Sequence, residues 1–274
     1  MQPLNFYKMS GSGNDFIIID NRKKVVNDAD LVKFIASVCR RKMSVGADGF
    51  ILVENSDDVD FEWRFYNSDG SVAEMCGNGA RCAARFAYEN NIAGPRMSFK
   101  TEAGVIHAQI IDDRVKIKMP DPTDFKKNDE LHLEEGALPI ASIHTGVPHV
   151  VIVVDDIEEA AVVELGRKIR FHETFAPAGT NVNFINPMAD NVVAMRTYER
   201  GVEDETLACG TGAVASAIVM ADKLNVTSPV SILTRSGERL SIYYAVEKGI
   251  YSDIYLEGDA RIIYKARLCE DAWK

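Results

Sequence analysis

Two cysteines stand immediately before a glycine-bracketed segment: Met75-Cys76-Gly77-Asn78-Gly79-Ala80 and Ala208-Cys209-Gly210-Thr211-Gly212-Ala213. A cysteine at the first turn of a helix has its thiolate favoured by backbone N–H groups that lack an intrahelical partner, which lowers a thiol pKa of about 8.5 by a unit or more. The glycines remove side chains that would keep a ligand from those N–H groups, so each turn is an anion nest suited to a carboxylate. A small acid held by both nests would place its α-carbon between a thiolate and a thiol. One sulfur then removes a proton while the other delivers one to the opposite face, and the centre inverts. The carbanion formed between the two transfers is stabilised by the same converging donors. The chemistry expected of this pair is racemisation or epimerisation.

The elements that must position the cysteines occur twice. The interval of 133 residues from Cys76 to Cys209 also carries Gly77 to Gly210, Gly79 to Gly212, Ala80 to Ala213, Ala84 to Ala217, Ser98 to Ser231, Thr101 to Thr234 and Gly104 to Gly237. Upstream the match loosens: Asn14, before an apolar run ending at Asp20, corresponds to His149, before a run ending at Asp155. A period this long with two copies means a duplicated domain rather than a solenoid. Apolar or alternating β-type runs lie at 16–19, 61–65, 105–111, 115–119, 150–154, 192–196, 240–244 and 250–256, with Ile185 in another. Helices are expected at 28–40 with Asp28 as N-cap, at 77–89, at 158–170 and at 210–224. The expected fold is α+β, made of two duplicated domains, each a strongly bent mixed or antiparallel sheet, barrel-like, around one long helix. A pseudo-twofold relation would put the active site in the cleft between them. The best break is Met119-Pro120-Asp121-Pro122-Thr123-Asp124, so the domains are expected at 1–119 and 120–263, with the tail 264–274 packing back on the first.

Composition narrows the function classes. Thirty-one basic residues against 41 acidic ones leave a net charge of −10, which gives nucleic-acid binding no support. No apolar run approaches the roughly 20 residues of a membrane span, and Met1-Gln2-Pro3-Leu4-Asn5 lacks the pattern of a signal peptide, so the cytoplasm is the expected compartment. Five cysteines, an odd number, fit a reducing compartment. Cys76 and Cys82 are not spaced as C-x-x-C and no metal-ligand spacing occurs, so neither a metal nor PLP is implied. A lone nucleophilic cysteine would need a histidine base and would leave the second cysteine unexplained. Cys39, Cys82 and Cys269 read as buried structural residues, and His107, His132, His144 and His172 as surface or satisfied ones. Gly11-Ser12-Gly13 has no third glycine and no helix after it, so a dinucleotide loop fails. His149 reads equally well as a site residue and as a structural one.

The motifs Lys8-Met9-x-Gly11-x-Gly13-Asn14-Asp15-Phe16, Gly46-Ala47-Asp48-Gly49, Phe65-Tyr66-Asn67-x-Asp69-Gly70, Gly179-Thr180-Asn181-Val182 and Tyr198-Glu199-Arg200-Gly201, together with both cysteine segments, closely resemble the diaminopimelate epimerases. These are PLP-independent enzymes that interconvert LL- and meso-diaminopimelate on the route to lysine and peptidoglycan. The resemblance runs over nearly the whole chain. It implies that Cys76 and Cys209 are the catalytic acid/bases, that His149 and Glu199 are the polar pair beside the reacting centre, and that Asn14 binds near it. It further implies that backbone N–H groups of Gly77, Asn78, Gly210 and Thr211 hold the α-carboxylate, while Asn67, Asn181 and Arg200 read the distal end. The fork of Arg200 suits a carboxylate; without the flanking motif, Glu199 and Arg200 would read as a solvated ion pair. A homodimer is implied as well.

Family members often carry Asn-Pro-His where this chain has Val147-Pro148-His149, so one distal contact is missing; Asn183, on the same strand face as Asn181, is a possible replacement. The departure keeps a racemase of another amino acid open. Proline and hydroxyproline racemases have a histidine where Asn78 stands, whereas histidine racemases keep the asparagine. Phenazine-type isomerases share the fold without two cysteines. A non-catalytic amino-acid-binding module is the alternative of another class, and a ligand-protected alkylation of Cys76 or Cys209 by iodoacetamide separates it from an enzyme.

Overall fold

Successive side chains of the central strands point to opposite faces and are buried on both, and each half of the chain covers those faces with a short helix and a long one. The computed structural model describes residues 4–274. It divides into two compact units, one running to Ile117 and resuming at Gly258–Lys274, the other Lys118–Glu257. Strand Arg261–Leu268 pairs antiparallel along Leu4–Gly11, which commits the return of the chain to the first unit.

In the first unit, strand Asn14–Asp20 lies antiparallel to Leu4–Gly11 and parallel to Gly49–Glu54, which is antiparallel to Phe61–Asn67. Phe61–Asn67 is parallel to Arg96–Thr101, and Arg96–Thr101 is antiparallel to Gly104–Ile111. Helix α1 (Leu31–Val38) puts Leu31, Ile35 and Val38 against Ile17, Ile19, Phe50 and Leu52. Helix α2 (Gly77–Glu89) is buried along most of its length on the other face, where a Cβ at Gly79 would press on Phe16 and Ile51. The closeness allowed by that glycine seats the start of α2 on the sheet.

The second unit repeats this order. Strand Pro148–Val153 is parallel to Asn181–Pro187, which is antiparallel to Val192–Glu199. Val192–Glu199 is parallel to Val230–Leu233, itself antiparallel to Arg239–Glu247. Helix α3 (Val162–Arg170) packs Val162 and Ile169 on Val150, Ile152, Val182, Phe184 and Tyr198. Helix α4 (Gly210–Leu224) takes the opposite face, where the Ser216 hydroxyl meets Met195 Sδ at 3.3 Å. Gly212 through Ala221 are all buried, so burial rather than surface propensity stabilises this helix. The α+β duplication read from the 133-residue interval therefore stands, in these paired strands and in the four helices.

Helices α2 and α4 begin and end where the sequence places them. The other two start late. Asp28 does not cap α1; its carboxylate goes to Arg64 at 2.8 Å and Asp30 takes the N-cap. Residues 158–160 do not join α3, because Arg196 Nη1 draws on the carbonyls of Ile157, Glu158 and Ala160 and holds that stretch open. The antiparallel hairpin Thr123–Leu133 with Gly136–His144 has little sequence signal: residues 123–130 are mostly exposed and polar, the pairing is interrupted by register shifts, and only its turn end, with Leu131 and Ile140, enters the core. Among the described residues no helix is long and apolar enough to cross a membrane.

Candidate active site

The two cysteines occupy the same position in the two units. Cys76 is the N-cap of α2 (φ −145°, ψ 119°) and Cys209 the N-cap of α4 (φ −124°, ψ 112°), each extended just ahead of its helix. Each carbonyl accepts the first helical hydrogen bond, from Ala80 N at 2.8 Å and from Ala213 N at 2.9 Å. The N–H groups of the residues between, Gly77 to Gly79 and Gly210 to Gly212, are those a helix leaves without an intrahelical partner. A Cβ on Gly77 would meet only Ile117 Cδ1 at 3.8 Å, so glycine there leaves open space at the helix start.

In the first unit, Cys76 Sγ lies 3.4 Å from Asn14 Oδ1. Asn14 is held in turn, its Nδ2 donating to Asp48 Oδ2 at 2.9 Å. Behind Asp48 an ion-pair network fixes the loop: Arg41 bridges Asp48 at 2.7 Å and Asp15 at 2.6 Å, and Lys8 pairs with Asp15 at 2.7 Å and reaches the Gly46 carbonyl. The cations around Asp15 hold its carboxyl below the usual range against the opposing effect of burial. Beneath the helix start lies Arg81, fully buried, donating to Gly77 O, Asn78 Oδ1, Ser12 Oγ and Asp259 O at 2.9–3.3 Å. Asn78 is thereby clamped by its side chain and keeps its backbone N–H at the helix end. Asn67 closes its strand exposed to solvent, with Nδ2 on Ser71 Oγ at 3.0 Å.

In the second unit, Cys209 Sγ is 3.6 Å from Thr211 Oγ1, and His149 Nε2 is 2.9 Å from the same hydroxyl. The imidazole is buried, and burial, reinforced by His144 and Arg200, pushes its pKa down to about 3. His149 is therefore neutral at physiological pH and meets the sulfur through Thr211. Glu199 Oε2 accepts the Thr206 hydroxyl at 2.8 Å, while burial raises the Glu199 carboxyl above its ordinary range. Asn181 joins two segments, donating to Pro148 O at 3.3 Å and accepting Arg200 N at 2.8 Å; the Arg200 guanidinium reaches Ala178 O at 3.2 Å.

Asn183 does not replace the missing distal amide. It is fully buried, with Nδ2 donating to His149 Nδ1 and Val150 O and Oδ1 accepting the Thr197 hydroxyl, each at 3.0 Å. It shares a strand face with Asn181 but lies two residues further along, under the first turn of α4. The same geometry explains Gly212, where a Cβ would collide with Asn183 Oδ1. Cys39 and Cys82 are buried as expected, and burial pushes the Cys39 thiol up to about 12. Cys269 is exposed instead, since the last strand ends at Leu268.

The sequence motifs do not single out Asp48, Arg81 or the Thr211 hydroxyl as site residues. A signal existed for one of them: an arginine four residues after Gly77 falls on the buried face of a helix otherwise lined by alanine, cysteine and phenylalanine.

A family model described as diaminopimelate epimerase matches residues 6–123 and 141–263. The diaminopimelate epimerase of Aquifex aeolicus (strain VF5) is 46% identical over 278 residues, covering 98% of this chain and 99% of the relative. That of Chlorobaculum tepidum is 39% identical, covering 95% and 99%. Among solved structures, a phenazine biosynthesis protein of the PhzF family from Bacillus anthracis superposes with a TM-score of 0.74 at 15% identity, covering 98% of this chain and all of that one. A hydroxyproline epimerase from Agrobacterium vitis does so with a TM-score of 0.67 at 14% identity, covering 98% and 93%. These two likenesses are of fold.

Proposed function

This chain belongs to the diaminopimelate epimerase family, and on that premise we propose that it interconverts LL- and meso-2,6-diaminopimelate by proton transfer at one α-carbon, with Cys76 and Cys209 as the two acid/bases. One observation carries the reading: each unit sets a cysteine as N-cap of its long buried helix, with glycine at the first and third helical positions. The thiolate of one cysteine takes the α-hydrogen and becomes a thiol. The thiol of the other gives its hydrogen to the opposite face and becomes a thiolate, so atoms and charge balance over the turnover. N–H groups of Gly77, Asn78, Gly210 and Thr211 receive the α-carboxylate and offset the carbanion's charge. Asn67, Asn181 and Arg200 read the distal end, with Asn14, His149 and Glu199 beside the reacting centre. The scheme uses neither a metal nor PLP. The family resemblance extends the reading to a homodimer acting in the cytoplasm, and sedimentation of the purified protein checks the dimer.

The test is NMR of LL-diaminopimelate with the reduced protein in D₂O, without PLP, alongside the Cys76→Ala and Cys209→Ala variants. Deuterium at one α-carbon together with meso product, lost in either variant, is the expected result. Exchange with L-histidine or L-proline but not with diaminopimelate would move the substrate, and no exchange with any amino acid would overturn catalysis.

A further inference from the structure

The contacts of Asn183 fix which way its amide points. Val150 O can only accept and the Thr197 hydroxyl is placed to donate, so nitrogen faces Val150 and oxygen faces Thr197. The same nitrogen meets His149 Nδ1 at 3.0 Å, which makes Nδ1 an acceptor and leaves the ring hydrogen on Nε2. Nε2–H then donates to Thr211 Oγ1, and the hydroxyl's own hydrogen is left for its other neighbour, Cys209 Sγ. Two glycine-dependent facts support a built arrangement. Gly212 is the residue whose side chain would occupy the place of Asn183 Oδ1, and the same Cβ would stand 3.2 Å from Cys209 Sγ.

Resting on the epimerase reading, we propose that Asn183 is a positioning residue: it sets the tautomer of His149 so that the Thr211 hydroxyl donates to the Cys209 sulfur and favours its thiolate. The charged or titratable groups that face His149 are His144 and Arg200, while Glu199 is engaged by Thr206. Cys76 meets a different partner, the acceptor oxygen of Asn14, and the Thr211 hydroxyl lies beside Cys209. The two sulfurs are thus prepared unequally although their backbones match.

The readout is the pH titration of thiolate ultraviolet absorbance in the full chain, with the Cys209 signal taken as the difference from the corresponding Cys209→Ala protein and the Cys76 signal from Cys76→Ala. Thr211→Val removes the hydroxyl and Thr211→Ser keeps it. Asn183→Asp is isosteric but accepts where the amide donated; it draws the ring hydrogen to Nδ1 and turns the Thr211 hydroxyl toward Nε2. In Thr211→Val and Asn183→Asp the Cys209 midpoint should rise by about one pH unit, a tenfold smaller thiolate fraction below it. It should stay in place in Thr211→Ser, and the Cys76 midpoint should not move in any of the three. An unmoved Cys209 midpoint in either Thr211→Val or Asn183→Asp overturns the proposal, as does an equal displacement of Cys76. The titration needs no substrate, so it stands or falls separately from the exchange experiment.

Discussion

Asp48 accepts the Asn14 amide hydrogen at 2.9 Å, and this turns Asn14 Oδ1 toward Cys76 Sγ. Without Asp48 the amide has no reason to keep that orientation, since either end can then face the sulfur. Asp48→Ala should lower kcat about tenfold and raise KM by a smaller factor, because the other substrate contacts remain while Asn14, the partner of one acid/base, is disordered. The fold should lose less than about 1 kcal/mol, since the Arg41–Asp48 pair is exposed and Arg41 keeps Asp15. Steady-state kinetics beside urea denaturation checks both halves; a fall in stability that matches the fall in kcat would count against an orienting role.

The two helix starts predict opposite outcomes for the same substitution. Gly77→Ala has room, with Ile117 Cδ1 at 3.8 Å, so the protein should fold normally and any loss of activity reports a methyl group in the carboxylate nest. Gly212→Ala would drive a Cβ into Asn183 Oδ1 and should cost about 1–3 kcal/mol as well as activity. Melting temperatures and exchange rates of the two variants, measured side by side, test the contrast.

Why some of this was legible in the chain and some not follows from where the determinants lie. Cys-Gly-x-Gly-Ala marks both long helices to the residue, because an extended cysteine followed by glycines is a local device repeated in both units. The starts of α1 and α3 depend on Arg64 and Arg196 reaching from distant strands, which no local pattern shows. Asn183 was placed on the correct strand face, since parity is local. Its partners were not visible, because His149 and Thr197 reach it only once three strands are paired. In the same way, Asp48 stands in a recognisable motif, but its hold on Asn14 exists only through the loop network of Arg41, Asp15 and Lys8.

Glu199 should carry a pH signature in stability as well as in rate. Burial favours its protonated form in the folded state, so the fold benefits at low pH and loses that benefit as pH rises through the raised pKa. At neutral pH the buried charge is a cost. Glu199→Gln should therefore melt higher than the parent at pH 7, with the difference vanishing below about pH 4, where the carboxyl is protonated in both states. Activity should fall at least tenfold and lose an acid limb lying above the ordinary carboxylate range. Equal melting temperatures at pH 7 would contradict the buried charge.

His149 has the opposite sign. Its pKa falls from about 6.5 in the unfolded chain to about 3 when buried. Between these values the unfolded state takes up a proton that the folded state refuses, so stability drops as pH falls, by about 1.4 kcal/mol per pH unit. His149→Gln keeps a neutral donor toward Thr211 and an acceptor toward Asn183 but cannot titrate. On going from pH 7 to pH 5 the parent should lose about 2 kcal/mol more than this variant, a comparison in which the other acid-sensitive groups cancel. The kcat/KM profile of the parent should show no limb near the ordinary histidine value, because the imidazole stays neutral throughout. A histidine limb there, or equal losses of stability in the two proteins, would mean that His149 is protonated in the folded enzyme and acts as an acid itself rather than through Thr211.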